Sequence, residues 1–369
     1  MNNSRETMLE AAQAFLIKGT IESCEPYGSG HINLTYRLVC REKGQEYAYI
    51  LQQMNQEVFK DIKGLMSNVK GVTSFLRRQI IENHGDPDRE TLNLVPTRDG
   101  QDYYTDSLGH CWRMYLFISQ ATCYNLVEDP KDFYQSGKAF GRFQCFLADY
   151  PADELHETIP NFHNTPARYE TFEKAVREDV MGRAGQVAEE IQFIRERKED
   201  MGLALRLKEE GRLPVRVSHN DTKLNNIMID DATGQALCII DLDTIMPGFS
   251  IFDYGDSIRF GANTAQEDET DLSKVSLSLP LFEVYTKGFL EGSQGRLTRT
   301  ETELLPYGAK MMTLECGMRF LTDYLQGDVY FHTSREGHNL DRCRTQLALV
   351  ADIERKWADL AAIVEKYQG

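Results

Sequence analysis

Residues 217–256 read VSHNDTKLNNIMIDDATGQALCIIDLDTIMPGFSIFDYGD, and the rest of the chain is organised around this segment. Two short apolar runs, at 227–229 and 236–242, flank the turn sequence DDATG. That pattern predicts a β-hairpin. The polar residues lie at its two ends, since a polar loop enters the first strand and acidic residues follow the second. Folding of the hairpin therefore brings both sets of polar residues together.

The open end of this hairpin predicts a metal site. Asn226 precedes the first strand and Asp241 lies at the exit of the second, so an amide oxygen meets a carboxylate there. Such hard oxygen ligands suit Mg²⁺. Asp221, five positions before Asn226, lies close to the metal without ligating it, where a base for an incoming hydroxyl is needed. Each residue alone is typical of turns and helix caps, but the three in this order predict phosphoryl transfer.

The spacing Asp-x-x-x-x-Asn, followed by a hairpin and an acidic residue, resembles the catalytic core of the protein-kinase-like superfamily. The forms His-x-Asp and Ile-Asp-x-Asp are closer to its aminoglycoside phosphotransferase branch. More narrowly, the chain resembles the bacterial N-acetylhexosamine 1-kinases. The segments that carry this resemblance are SHNDTKLNN (218–226), IDLDTIMPG (240–248), FDYGDSIRFGA (252–262), GSGHINLTY (28–36) and NFHNTPARYE (161–170).

The resemblance implies an α+β, two-lobed protein-kinase-like fold. A small antiparallel-sheet lobe that binds nucleotide is expected over residues 1–119, with the hinge at its end. A larger, mainly helical lobe with the catalytic loop, metal site and sugar pocket is expected over 120–369. The implied reaction transfers the γ-phosphoryl group of ATP, with Mg²⁺, to the anomeric 1-hydroxyl of N-acetylglucosamine or N-acetylgalactosamine, giving the sugar 1-phosphate and ADP. Two alternatives stay open: another small-molecule kinase of this fold, acting on an aminoglycoside, choline or another sugar, and a non-catalytic, nucleotide-binding pseudokinase.

The resemblance also implies a role for each polar residue of the stretch. Asp221 orients and deprotonates the acceptor hydroxyl, and Lys223 stabilises charge on the γ-phosphate. Asn226 and Asp241 ligate Mg²⁺, whereas Asp243 binds a second ion or orients the ligands of the first. Structural support is expected from three residues: His219 packs beneath the loop, and Asp253 or Asp256 accepts backbone N–H bonds from it.

Nucleotide contacts are expected in the first lobe. Gly28, Ser29 and Gly30 form a Gly-x-Gly turn between two predicted strands, where backbone amides can approach phosphates, although a plain hairpin turn has the same pattern. The resemblance implies that the backbone of Phe117, Ile118 and Ser119 binds adenine.

Acceptor contacts are expected from His31, Asp221, Arg319 and Tyr330. The alternative for Arg319 is a surface ion ladder, since Glu315, Arg319 and Asp323 share one helix face.

The third predicted strand, within 47–54, departs from the wider superfamily. Protein kinases carry there the lysine that binds the α/β-phosphates. The counterpart here is Gln52, and no lysine follows before Lys60. This leaves open how those phosphates are neutralised, and it suggests that Mg²⁺ and loop amides carry more of that role.

Composition narrows the possible partners. The chain has 369 residues, a hydrophobic content of 41% and a net charge of −16, so its general surface repels nucleic acid and anionic membranes. ATP must therefore bind through a local site. The eight cysteines contain no CxxC pair, and the start of the chain does not resemble a signal peptide. We expect a cytoplasmic enzyme whose partners are ATP and a small sugar; protein partners are not predicted.

Periodicity predicts further elements. Helices are expected at 3–18, 55–83 and 187–210, and a helix with a glycine face for close packing is expected after Asp132. Short strands are expected within 92–119. The sequence Met246-Pro247-Gly248 predicts a sharp turn.

Overall fold

The computed structural model describes residues 2–28 and 32–368, and its first lobe is built on a five-stranded sheet. The strand order is β1-β2-β3-β5-β4, and every neighbouring pair is antiparallel. The elements of this lobe are α1 (Asn2–Ala14), β1 (Thr20–Pro26), β2 (Leu34–Glu42), β3 (Gln45–Gln53), α2 (Ile62–Glu82), β4 (Tyr104–Thr105) and β5 (Cys111–Leu116).

Local sequence explains the tightest connection of this sheet. Strands β2 and β3 are joined by Lys43 and Gly44, which both have positive φ, 50° and 86°. Such two-residue turns match the right-handed twist of the paired strands. The register then places Gln52 opposite Thr35 on one side and opposite Arg113 of β5 on the other.

The two helices of this lobe bury different faces of the sheet. Residues of α1, among them Met8 and Ala12, pack with Leu51 and Trp112 in one core. Residues of α2 pack in a second core that also contains Tyr115 of β5 and Leu242. Helix α2 thus connects the sheet with the segment that follows the predicted metal ligand.

The second lobe is mainly helical and contains two small sheets. Strand β6 pairs with β8, β8 with β9, and β10 with β7. Its elements are β6 (Ala121–Thr122), α3 (Pro130–Phe146), α4 (Thr165–Glu178), α5 (Ala188–Arg195), α6 (Lys198–Met201), α7 (Leu203–Glu209), β7 (Arg216–Ser218), β8 (Ile227–Asp230), β9 (Ala236–Ile239), β10 (Met246–Gly248), α8 (Ser250–Gly261), α9 (Leu279–Ser293), α10 (Arg299–Glu303), α11 (Leu305–Gln326), α12 (His338–Arg355) and α13 (Trp357–Tyr367).

The predicted fold class, an antiparallel-sheet lobe followed by a mainly helical lobe, is confirmed. The predicted division at residue 119 falls in the segment between β5, in the first sheet, and β6, which pairs with β8. In the part of the chain that the structure describes, no helix has an apolar segment long enough to span a bilayer.

Close packing of α3 depends on glycine. A Cβ added at Gly137 or Gly141 would overlap the backbone carbonyl of Tyr285 or Phe289 in α9. The contact is reciprocal, because Gly288 of α9 lies equally close to the carbonyl of Tyr134. The two backbones therefore approach one another directly, as the glycine face predicts.

Several predicted boundaries are wrong. The first helix ends at Ala14, and the helix predicted from residue 55 begins at Ile62, where Asp61 caps it by accepting a bond from the N–H of Gly64 at 2.9 Å. The predicted helix 187–210 is divided into three short helices, α5 to α7. Within 92–119, only β4 and β5 are strands.

The sharp turn predicted at residues 246–248 is also wrong. These residues form β10, which pairs with β7 directly before the catalytic loop. Proline is accommodated because β10 is an edge strand of a two-stranded sheet.

Candidate active site

The loop 219–223 follows β7 and is held by Asp253, the fourth residue of α8. Its Oδ1 accepts hydrogen bonds from the backbone N–H of Asn220 and the hydroxyl of Ser218, both at 2.8 Å. Its Oδ2 accepts from the N–H of His219 at 2.9 Å and from Nε2 of Gln144 at 3.1 Å. This buried carboxylate thus has four donors, which fix the path of the loop.

Two further residues, Asp256 and His219, contact the same loop. The Oδ2 atom of Asp256 accepts the N–H of Thr222 at 3.0 Å. His219 is buried against Phe140, and its Nδ1 accepts the N–H of Asp221 at 3.3 Å. Its Nε2 is 3.0 Å from the carbonyl of Ile240 at the end of the hairpin, so this ring connects the two ends of the site.

Asp221 contacts two other residues of the predicted site. Its Oδ1 is 2.8 Å from Nζ of Lys223, and its Oδ2 accepts from Nδ2 of Asn226 at 3.0 Å. Burial lowers the pKa of Lys223, but the carboxylates of Asp221 and Asp256 outweigh this effect and raise it overall. The lysine therefore stays cationic beside the candidate base.

The side-chain amide of Asn226 has a fixed orientation. Its nitrogen donates both to the side chain of Asp221 and to the backbone carbonyl of Asp221, the latter at 2.8 Å. Within the described residues its Oδ1 accepts no hydrogen bond, so the oxygen is free to ligate a metal. The hairpin places it near Asp241, because the N–H of Ile240 donates to the carbonyl of Asn226 at 2.9 Å.

Asp241 differs from every other acid of the site. It adopts left-handed backbone angles, φ 59° and ψ 59°, which cost energy in a non-glycine residue. Its carboxylate faces the cleft and has no hydrogen bond or ion pair within residues 2–28 and 32–368. The side chain is exposed, but the protein atoms around it partly desolvate the carboxylate, and this effect and the nearby carboxylates of Asp243 and Asp221 raise its pKa to about 6.

The side-chain oxygens of Asp241 and Asn226 fit Mg²⁺. An unpaired carboxylate repelled by two others is stabilised by a divalent cation, and the free oxygen of Asn226 adds a second hard ligand. No cluster of three or more His, Cys, Asp or Glu side chains suited to a metal occurs in the described part of the chain. Nucleotide phosphate oxygens and water would therefore complete the coordination, as is usual for Mg²⁺ in phosphotransfer sites.

Asp243 is buried, and both its oxygens have partners. Asn33 Nδ2 donates to its Oδ2 at 2.6 Å, and its Oδ1 forms an ion pair with Arg113. Of the two roles predicted for Asp243, these contacts favour orientation of the site over ligation of a second ion. Its part in metal binding remains a prediction.

Of the predicted nucleotide residues, Gly28 and residues 117–119 lie in the described part of the chain. Gly28 has a φ of 78° and open space around it, whereas Ser29, Gly30 and His31 lie outside the described residues. The ring of Phe117 contacts that of Tyr27, beside Gly28, with centroids 5.6 Å apart.

The predicted hinge, residues 117–119, was expected to bind adenine through its backbone groups. The N–H of Phe117 donates to the carbonyl of Ala48 at 3.1 Å, and the carbonyl of Ser119 accepts from Nη2 of Arg89 at 2.9 Å. The backbone N–H and C=O of Ile118 have no partner among the residues described, so they are available to adenine.

Arg319 lies among aromatic rings in the second lobe. Its guanidinium carbon is 5.8 Å from the ring centroid of Phe162, 5.9 Å from that of Tyr330 and 5.4 Å from that of Phe331. It forms no hydrogen bond or ion pair with any described residue, while Tyr330 is 69% exposed. Neither side chain contacts Asp221, so the acceptor residues are not brought together by direct contact.

The predicted alternative of a surface ion ladder is wrong. Glu315 is buried, pairs with Nδ1 of His163 at 2.8 Å and accepts the hydroxyl of Thr165 at 2.6 Å. Asp323 is buried as well, and it accepts backbone N–H bonds from residues 329–331.

Two residues that contact the site, His163 and Arg113, were not among the predicted site residues. His163 joins Glu315 to the catalytic loop, since its Nε2 is 3.4 Å from the carbonyl of Asn220. It also lines a cavity of about 200 Å³ with Phe162 and Asn220. Arg113 has a clear signal in the sequence: it is the charged residue within the apolar run of a central strand.

Comparison with known proteins agrees with this geometry. The sequence model of the APH phosphotransferase enzyme family matches residues 23–273, more than half of the 369-residue chain. An aminoglycoside phosphotransferase from Alicyclobacillus acidocaldarius is 12% identical, with a TM-score of 0.59 over 98% of this chain and 96% of that one.

Two other solved structures are similar in fold. A choline kinase from Cryptosporidium parvum is 13% identical, with a TM-score of 0.53 over 91% of this chain and 90% of that one. A spectinomycin phosphotransferase in complex with ADP and spectinomycin is 13% identical, with a TM-score of 0.51 over 88% of this chain and 91% of that one. The family match and the arrangement around Asp221 show that the chain belongs to the APH phosphotransferase enzyme family. It is a small-molecule phosphotransferase with a hydroxyl acceptor.

Proposed function

We propose that this enzyme transfers the γ-phosphoryl group of ATP to the anomeric 1-hydroxyl of an N-acetylhexosamine, N-acetylglucosamine or N-acetylgalactosamine. The products are the N-acetylhexosamine 1-phosphate and ADP. The observation that carries phosphotransfer is the grouping of Asp221, Lys223 and Asn226 at the end of the hairpin, facing the unpaired Asp241. The hexosamine is supported by the resemblance of segments 218–226, 240–248 and 252–262 to N-acetylhexosamine 1-kinases.

In the proposed mechanism Asp221 is the base. The acceptor oxygen forms a bond to the γ-phosphorus as its proton passes to the carboxylate, and the bond from that phosphorus to the β–γ bridging oxygen breaks, so that ADP leaves with the electron pair. Nδ2 of Asn226, 3.0 Å from Oδ2, and Nζ of Lys223, 2.8 Å from Oδ1, orient the base. An anomeric hydroxyl is more acidic than an ordinary alcohol, so a modest base suffices.

Charge on the phosphates is balanced by cations on both sides of the transferred group. Asn226 and Asp241 would hold Mg²⁺, which when bound neutralises the phosphate oxygens. Lys223 is placed to exchange its contact with Asp221 for one with the γ-phosphate. The assignment of these side chains as metal ligands and as a phosphate contact is part of the proposal.

The acceptor is proposed to bind in the second lobe, near Arg319. This guanidinium lies over three aromatic rings and has no hydrogen-bond partner in the described part of the chain. A free donor beside aromatic surfaces suits a sugar, whose hydroxyl groups accept hydrogen bonds and whose ring packs on apolar faces. Tyr330 and His31 are proposed to complete this site.

The test is an acceptor screen for ADP release with ATP and Mg²⁺, followed by phosphorus NMR of the product. N-acetylglucosamine and N-acetylgalactosamine are compared with choline, an aminoglycoside and unmodified hexoses. We expect turnover of a hexosamine and a phosphorus signal coupled to the anomeric proton. Turnover of choline or the aminoglycoside, with neither hexosamine used, would replace the proposed acceptor, and phosphate at another hydroxyl would correct the position.

A further inference from the structure

The pair of side chains that positions nucleotide phosphates in protein kinases is missing from its usual place. In that pair a lysine of the third strand is held by a glutamate of the following helix. Here β3 carries Gln52, and the only acidic residue of α2 is Glu82, at its last position. Glu57 is no substitute, because its side chain is 94% exposed and pairs with Lys60.

A cation lies one strand away from the missing lysine. Arg113 of β5 is directly opposite Gln52 in the register of β3 and β5, and its Nε donates to Oε1 of Gln52 at 3.0 Å. Gln52 is itself fixed by a bond from its Nε2 to the hydroxyl of Thr35 at 3.0 Å. Arg113 is 2% exposed, and it is the only buried Lys or Arg among the described residues of the first lobe.

A carboxylate also stands in for the missing glutamate. Asp243 forms a buried ion pair with Arg113 and lies two positions after Asp241, the proposed metal ligand. Asn33, which follows the glycine-containing loop, donates to the same carboxylate at 2.6 Å. The guanidinium therefore lies between Gln52 of the third strand and the carboxylate of Asp243, which Asn33 also contacts.

We propose that Arg113 supplies the positive charge for the α/β-phosphates that a lysine on β3 would otherwise supply, and that Asp243 and Gln52 hold its guanidinium in place. This inference rests on the nucleotide site of the proposed function, but not on the identity of the acceptor. It makes Asp243 the partner of an arginine instead of the ligand of a second ion.

The hydrogen bonding of the guanidinium favours this role over a purely structural one. Its Nε contacts Gln52 and its Nη1 faces Asp243, whereas its Nη2 has no hydrogen-bond partner within residues 2–28 and 32–368. A buried ion pair stabilises a fold weakly, because desolvation of the two charges offsets their attraction. A free donor on a buried arginine beside the metal segment is instead suited to a phosphate oxygen.

The test measures nucleotide binding by isothermal titration calorimetry without any acceptor. In Arg113→Met, the affinity for ADP with Mg²⁺ should fall by about 10- to 100-fold, since a charge-assisted hydrogen bond is lost. Binding of adenosine, which has no phosphate, should stay within about twofold of the parent. Arg113→Lys should recover part of the lost affinity for ADP while adenosine binding stays unchanged.

Two further variants keep the test decisive. The double variant Arg113→Gln/Asp243→Asn avoids an unpaired buried carboxylate, so it should fold, as checked by circular dichroism, and should show the same selective loss of ADP affinity. Arg197→Met is the matched control, because Arg197 is partly buried and pairs with Glu354 at 2.7 Å in the second lobe. It should bind ADP as the parent does.

Two outcomes would overturn the inference. One is parental affinity for ADP in the folded double variant; the other is an equal loss of ADP and adenosine binding, which would indicate a structural role only. Failure of the acceptor proposal is a separate result. A parent enzyme that binds ADP but phosphorylates no hexosamine would refute that proposal, and the selective loss of ADP affinity in the Arg113 variants would be unaffected.

Discussion

Two aspartates twelve positions apart, Asp253 and Asp241, have opposite surroundings. Asp253 is buried and accepts four hydrogen bonds, two of them from the backbone of the catalytic loop. Asp241 faces the cleft, has no such partner in the described part of the chain, and lies near two other carboxylates that help to raise its pKa to about 6.

The difference separates stability from chemistry. A carboxylate whose negative charge is already satisfied by donors holds the backbone in place, and its loss leaves those donors unpaired. A carboxylate held in a strained conformation among like charges is unfavourable in the protein alone. Its presence is explained if a cation binds there during the reaction.

Replacing Asp241 should have the largest effect on activity. Asp241→Ala removes the one carboxylate among the two proposed ligands of Mg²⁺, and we expect turnover to fall by about 1000-fold or more. Added Mg²⁺ should not restore the rate. The measurement is ADP release with a hexosamine over a series of Mg²⁺ concentrations.

A second substitution at position 241 tests the effect of this carboxylate on stability. Asp241→Asn keeps a side chain that tolerates left-handed backbone angles and removes the repelled charge, so its melting temperature at pH 7.5 should equal or exceed that of the parent. A clear fall in the melting temperature would contradict the view that Asp241 is unfavourable in the metal-free protein.

Replacing Asp253 should instead destabilise the fold. Asp253→Ala leaves the N–H groups of His219 and Asn220 buried without acceptors, and we expect the free energy of unfolding to fall by about 3 kcal/mol. Denaturant unfolding followed by circular dichroism measures the change. Asp153→Ala, at an exposed position, is the control and should remain within about 0.5 kcal/mol. If Asp253→Ala were as stable as the parent, Asp253 would not stabilise the fold and would not differ from Asp241 in this respect.

The sequence predicted the local structure around Asp241 better than it predicted helix boundaries and long-range contacts. The hairpin and the exit position of Asp241 follow from short-range spacing, because a hairpin is a local structure. The backbone bonds to Asp253 or Asp256 were instead implied by the family resemblance. The fold class follows from the same motif. Helix boundaries failed where tertiary packing decides the structure, as in the three short helices that replace 187–210.

Long-range pairs could not be predicted. Arg113 and Asp243 are far apart in the sequence, and they meet because the segment that follows β9 packs against β5 of the first lobe. Glu315 was assigned to an exposed face because i, i+4 spacing says nothing about which side of a helix is covered. In the fold that face meets His163 and Thr165.

The candidate base provides the next prediction. Asp221→Ala should lower turnover by about 100-fold or more, because base catalysis and positioning of the acceptor are both lost. Nucleotide affinity should change little, which distinguishes this variant from Asp241→Ala. Asp231→Ala, in the exposed hairpin turn, is the matched control for turnover. A rate within tenfold of the parent would refute the assignment of Asp221.

The smallest expected effect is on pH dependence. With a pKa of about 6, Asp241 is largely protonated at pH 5 and largely ionised at pH 7.5, and a metal must displace that proton. The apparent Mg²⁺ affinity of the enzyme–ADP complex should therefore be about tenfold weaker at pH 5 than at pH 7.5. Calorimetry measures this affinity at both pH values. The ratio of the two affinities is then divided by the same ratio for Mg²⁺ binding to free ADP in the same buffers.

The raised pKa of Asp241 also determines how the stability of the metal-free protein changes with pH. Because the folded pKa of Asp241 lies above its unfolded value of 3.8, the folded state binds the proton more tightly, and the contribution of this group to stability decreases as pH rises from about 4 to 6. The advantage in melting temperature of Asp241→Asn over the parent should therefore shrink as the pH is lowered from 7.5 to 4.5. An advantage that grew on acidification would mean that the protein itself stabilises the ionised form of Asp241.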